Sequence, residues 1–197
     1  MRYASSHPVV PNSKARLALL AGIAIIVCAM LFGPMLSPPE FNWQAHSTSE
    51  QAGQHMDGAW IMRAGFVAYG LGVVIAAAML WRENPWVNGA LFCFGGGLLA
   101  TAIWSNAPVV PGLPADMHED WLHSIASGVV GTAFAAACAA SLFAPGAHRM
   151  RLLAALGLVI AVAIPLAMNG LPEWRGLLQR AMFAYSFIFV WKSLGQP

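Results

Sequence analysis

Charge is what this chain has least of. Only 9% of its 197 residues are Asp, Glu, Lys or Arg, against about 25% in a soluble domain. That scarcity excludes a water-soluble globule, a disordered chain and a cytosolic enzyme of ordinary composition. Cysteine is scarce as well. The three present, Cys28, Cys93 and Cys138, are odd in number and all fall in apolar runs, so a disulfide scaffold is excluded. No segment alternates apolar and polar residues as a half-buried strand would. There is no glycine-flanked serine elbow, no phosphate-binding glycine loop followed by Lys-Ser or Lys-Thr, no facing histidine pair for haem, and no internal repeat of the kind found in secondary transporters.

What is abundant is apolar sequence: 58% hydrophobic residues and a mean hydropathy of +0.63. A hydrocarbon core of about 30 Å takes about 20 helical residues to cross. Six apolar runs, bounded by prolines, glycines or charges, meet that length at 16–36, 59–81, 87–104, 121–143, 151–168 and 176–194. They predict an all-α fold: a polytopic membrane protein forming a six-transmembrane-helix bundle, one integral domain over 1–197 with no room for a separate soluble one. The first run is longer than the core of a signal peptide and lacks a small-residue cleavage site, so it is expected to remain attached. Glycines and alanines in the third and fourth runs (Gly95, Gly96, Gly97, Gly128, Gly131, Ala135 to Ala137) are expected to be packing surfaces, since small residues let helices approach in lipid. Pro165 is expected to kink the fifth helix or to free a carbonyl within it.

Charge sorts by side. With both termini cytoplasmic, the inner segments hold Arg2, Lys14, Arg16, Arg82, Arg149, Arg151 and Lys192, while Glu40, Glu50, Asp57, Asp116, Glu119, Asp120 and Glu173 lie outside. That is the distribution expected of a protein in the cell membrane. Tryptophan agrees: Trp43, Trp60, Trp104, Trp121 and Trp174 fall at outer helix ends, and Trp81, Trp86 and Trp191 at inner ends, where an amphipathic ring prefers to sit.

The outer side also gathers the groups capable of chemistry. In Asp116-Met-His118-Glu119-Asp120-Trp121-Leu-His123-Ser124, helical spacing aligns Asp116, Asp120 and His123 on one face and sets Glu119 four before His123. A carboxylate holding His123 in one tautomer is the minimal general-base unit, so His123 with Asp120 or Asp116 is the candidate catalytic pair. Imidazole and carboxylates are also metal ligands, but His118 and His123, five apart, do not share a helical face, and no metal or other cofactor is expected. The same acids serve equally as helix caps.

Arg63 and Arg180 each lie about one turn inside an apolar helix, where an unpartnered arginine is costly. The expected partners are the carboxylates of Glu50, Asp116, Asp120 or Glu173. The alternative is a clamp on a lipid phosphate or other anion. Ser47 with Glu50 three residues later fits a capping box for a short interfacial helix.

The segments His46-Ser47-Thr48-Ser49-Glu50-Gln51 and Gly58-Ala59-Trp60-Ile61-Met62-Arg63-Ala64-Gly65-Phe66 resemble the loop and second helix of the small six-span bacterial and archaeal membrane proteins grouped as domain of unknown function nine-nine-eight. Asp116, His123 with Ser124, and Gly176-Leu177-Leu178-Gln179-Arg180 resemble its later signatures. The resemblance implies a six-helix bundle and carries no substrate with it. It marks Ser49, Glu50, Arg63, Asp116, His123 and Arg180, the same outer groups singled out by cost and placement. The expected function is therefore an outer polar site of Ser49, Glu50, Arg63, Asp116 and Arg180 that binds a lipid head group or small anionic ligand. A membrane-embedded lipid hydrolase using His123 and Asp120, and a structural or interaction subunit, are the alternatives. Membrane lipids are the expected partners, and nucleic acid is not.

Overall fold

The computed structural model describes residues 13–144 and 148–194. Arg2, counted among the inner basic residues, lies outside the described residues, as does the side chain of Arg149. All regular structure among the described residues is helical: α1 (Ser13–Phe32), α2 (Thr48–Gln51), α3 (Ala59–Met79), α4 (Pro85–Ile103), α5 (Met117–Phe143), α6 (His148–Gly170) and α7 (Arg175–Leu194), with 3-10 turns at Gly33–Leu36 and Pro172–Trp174. The long helices run alternately up and down. The connections 37–58, 104–116 and 171–174 therefore gather at one end, the loop end, and the short ones at the other.

Local chemistry sets the boundaries. Asn84 accepts the Val87 N–H at the start of α4, where Pro85 occupies the first turn without sacrificing a needed donor. Asp116 caps α5, which starts four residues before the apolar run does. Pro165 lies inside α6, and the helix continues past it to Gly170.

Among the described residues, five helices or helix-plus-turn segments (13–36, 59–79, 85–103, 117–143 and 150–170) are long and apolar enough to cross a membrane. α7 matches them in length but carries Arg175, Arg180 and Lys192. Two of its polar side chains are nonetheless turned inward: Arg180 and Ser186 are buried, and the Ser186 hydroxyl lies 3.2 Å from that of Tyr69.

The helices pack in chain order, α1 on α3, then α4, α5, α6 and α7, with α7 returning to α1 and α3. Arg16 lies over the Trp191 ring at the far end of α7, 5.3 Å from its centroid. An aromatic core of Phe66, Tyr69, Phe94, Phe134, Phe183 and Phe189 fills the middle. Leu17, Leu31, Ile75, Leu156, Val159 and Val162 point outward and exposed, an apolar exterior suited to lipid. The small residues divide: Gly95 and Gly97 are contact points, but a side chain added at Gly96, Gly128 or Gly131 would meet nothing within 4 Å. Those three are not points of helix contact.

Candidate functional site

The loop end is organised by the short helix α2. Ser47 N–H donates to Glu50 Oε2 (2.6 Å) and Ser47 Oγ accepts from Glu50 N–H (3.0 Å), the reciprocal capping box that Ser-x-x-Glu spacing predicts. Residues of α3 and α7 then grip α2 from both sides. Arg63 donates through Nε to the Ala52 carbonyl and through Nη2 to that of Gly53, each at 3.0 Å. Thr48 N–H and hydroxyl both donate to Gln179 Oε1, at 2.7 and 2.6 Å.

Arg180 donates to the carbonyls of Trp43 (2.9 Å), His46 (3.0 Å) and Gly176 (3.0 Å) and to Gln51 Oε1 (3.3 Å). Its guanidinium also lies over the Trp43 ring, 4.8 Å from the centroid. Loop 43–46 presses so closely on α7 that a side chain at Gly176 would collide with the carbonyls of His46 and Trp43, which is why the Gly-Leu-Leu-Gln-Arg segment opens with glycine.

The partners expected of these arginines are thus corrected. Neither Arg63 nor Arg180 pairs with a carboxylate; both satisfy carbonyls that the α2 fold turns away from water, and one planar guanidinium reaches several of them at once. The only salt bridge among the described residues joins Glu50 Oε1 to Arg175 Nη1 at 3.2 Å, with the glutamate side chain 13% and the arginine 39% exposed.

The acidic segment leading into α5 forms a second cluster. Asp116 accepts from the N–H groups of His118 (2.8 Å) and Glu119 (3.2 Å). Glu119 accepts from Ser105 N–H (2.6 Å) and Asp120 from Ala107 N–H (2.7 Å), while His123 Nδ1 donates to the Trp104 carbonyl (2.7 Å). His123 is 3% exposed and its Nε2 has no partner among the described residues. Asp116 and Asp120 are therefore engaged with backbone, and Trp104 occupies the His123 atom on which an orienting carboxylate would sit. His118 stacks on Trp121, ring centroids 5.9 Å apart.

Gln54, buried, ties the two clusters together. It accepts from Asp116 N–H (2.7 Å) and donates to the carbonyls of Ser105 and Asp116, both at 3.0 Å. Sequence reasoning missed Gln54, and named Gln51 and Gln179 only within longer motifs, because it followed charge; the available signal was an amide in an otherwise apolar or short-loop setting, where it has to find a partner.

Two spaces open beside these clusters. A recess of about 440 Å³ at the loop end is lined by Ser47, Glu50, Asn106, Asn169 and Arg175, with Met168. Deeper in the bundle lies a chamber of about 150 Å³ walled by Phe66, Phe94, Phe134 and Phe183, with Ser49 and Gln179 among its polar residues. Pro165 and Met182 line both. Of the residues singled out from sequence, Ser49 and Glu50 line these spaces; Arg63, Asp116, Asp120, His123 and Arg180 line neither. Arg175, which is not among the residues singled out from sequence, is the cation at the recess.

No curated protein and no solved structure matches this chain. The family described as protein of unknown function (DUF998) matches residues 19–191, and the chain belongs to that family.

Proposed function

We propose that this chain crosses the membrane six times, with both termini cytoplasmic, and that its outward end binds the anionic head group of a membrane lipid in the Arg175 recess. The burial of Arg180 and Ser186 inside the bundle supports counting α7 as the sixth span, since intramembrane polar groups face the interior. Lys14, Arg16, Arg82, Arg151 and Lys192 at the end opposite the acidic loops support the orientation.

The observation that carries the ligand reading is the state of Arg175. It spends one Nη1 contact on Glu50, has no other hydrogen bond among the described residues, is more than a third exposed, and lines a space of about 440 Å³. A guanidinium so placed suits a phosphate or carboxylate. Glu50 lines the recess beside Arg175, and Ser49 lines the chamber beneath it. Arg63, Asp116 and Arg180 act one step back, holding α2 and the 104–116 loop that frame the recess. Asp116 and Asp120 bond to backbone N–H groups and not to His123, so the His–carboxylate pair is not assembled, and we therefore assign His123 and Asp120 to holding that loop.

Native mass spectrometry of the purified protein tests the reading. Arg175→Ala is expected to lose anionic lipid that the wild type and an Arg151→Ala control, exposed at the opposite end, retain. Equal retention by all three would overturn it.

A further inference from the structure

The chamber beneath the recess has a chemistry of its own. Its volume of about 150 Å³ is that of an engineered protein cavity known to admit benzene. Its polar groups are oriented. Gln179 Oε1 is spent on two donors, Thr48 N–H and Thr48 Oγ1, and since an N–H has to face the amide oxygen, Nε2 is the end left over. Gln179 Nε2 and Ser49 Oγ have no hydrogen-bond partner among the described residues.

Going inward from the loop end, the order is a cation at Arg175, a free amide donor at Gln179, then phenylalanine walls. The side toward lipid is uneven. Near the opposite end α6 is clasped on both sides: a side chain at Gly157 would meet Cys138 Sγ of α5 at 2.5 Å, and the Tyr185 hydroxyl of α7 donates to the Leu153 carbonyl of α6. Toward the loop end Gly128 and Gly131 face empty space, and Gly131 and Pro165, both lining the chamber, are exposed.

We propose that the chamber takes the acyl-ester segment of a bilayer glycerolipid, a reading that rests on the head-group site at Arg175. The ester carbonyl accepts from Gln179 Nε2, the first carbons of the chain lie among Phe66, Phe94, Phe134 and Phe183, and the remainder leaves between the loop-end halves of α5 and α6 into the bilayer. The sequence cation, amide donor, apolar wall reproduces the sequence phosphate, ester carbonyl, methylene in such a lipid. A bilayer lipid reaches the opening sideways without crossing water.

The test compares diacyl phosphatidylglycerol with its ether-linked counterpart of equal chain length, each titrated into the full chain in detergent and read by native mass spectrometry. The wild type is expected to bind the ester about tenfold more tightly, the scale of one hydrogen bond lost inside a low-dielectric site. Gln179→Leu is expected to erase that preference. Because Gln179→Leu also strips Thr48 of its partner, Gly131→Leu provides a second variant that fills the chamber from a position with open space. It is expected to weaken both lipids about tenfold while leaving glycerol 3-phosphate binding unchanged. Equal binding of ester and ether by the wild type, together with an unaffected Gly131→Leu, would overturn the chamber proposal alone if Arg175→Ala still loses both lipids. If Arg175→Ala loses neither, the head-group reading falls and the chamber proposal falls with it.

Discussion

A side chain added at Gly22 on α1 would come within 2.6 Å of the Ala68 carbonyl oxygen on α3, and one added at Gly70 on α3 within 2.8 Å of the Gly95 carbonyl oxygen on α4, whereas Gly128 and Gly131 on α5 face nothing within 4 Å. The first half of the bundle uses missing side chains to bring backbones together. In the second half Gly157 and Gly176 still mark close approaches, but Gly128 and Gly131, toward the loop end of α5, keep a space. In lipid, where no hydrophobic effect drives helices together, close packing is itself the main attraction. A half that gives up that packing needs another source of cohesion. Here it is polar: Arg180 and Arg63 donate to carbonyls of the loop end and Gln179 Oε1 accepts from Thr48, which fastens that end to α7 and α3.

The largest effect is expected where backbones touch. Gly22→Leu places a branched side chain against the Ala68 carbonyl, and overpacking of this kind costs about 3 kcal/mol or more because the neighbour is backbone and has nowhere to turn. Gel filtration in detergent is expected to lose the folded peak. An unchanged peak and melting temperature would mean that α1 and α3 are not held by close approach.

Next comes the polar fastening. Arg180→Ala leaves the Trp43 and His46 carbonyls and Gln51 Oε1 without their donor, and each such buried acceptor costs about 1–3 kcal/mol when stranded. The expected result is a lower melting temperature and faster proteolysis within residues 37–58, with Arg180→Lys recovering part of the loss. If Arg180→Ala melts like the wild type, the second half coheres by some other means.

A smaller effect is expected at the α2 cap. Ser47→Ala removes the oxygen that accepts the Glu50 N–H, a change worth about 1 kcal/mol. It also frees Glu50 from half of its reciprocal bond, so lipid retention at the recess is expected to fall severalfold, fewer than the losses from Arg175→Ala. Native mass spectrometry reads both variants side by side.

The contrast between the halves explains what sequence disclosed. Helix existence and charge sorting were legible because each depends on a run of residues, and the Ser47–Glu50 capping box because it depends on two residues three apart. The partners of Arg63 and Arg180 were not, since a carbonyl is present at every position and leaves no mark in sequence. For the same reason the chain suggested that Asp120 orients His123, when Ala107 N–H and the Trp104 carbonyl take those two side chains. Arg175 counts among the outer polar groups in sequence but was not placed in the site, because a cation in a loop is unremarkable until the surrounding residues are seen to enclose a space. Gly95 and Gly128 are the same letter, and only the distance to the next helix separates contact from opening.

The smallest effect has the opposite sign. Gly128→Ala adds a methyl group that meets no neighbour, while removing a residue that costs a helix about 0.8–1.0 kcal/mol relative to alanine. The melting temperature is expected to rise by a few degrees. The same substitution at Gly95, where an added carbon comes 2.7 Å from the Gly70 carbonyl oxygen, is expected to lower it. Opposite signs from one substitution at two glycines separate the halves directly: a fall at Gly128 would mean that α6 closes on α5 there, and that the opening between them is filled by protein and not by lipid.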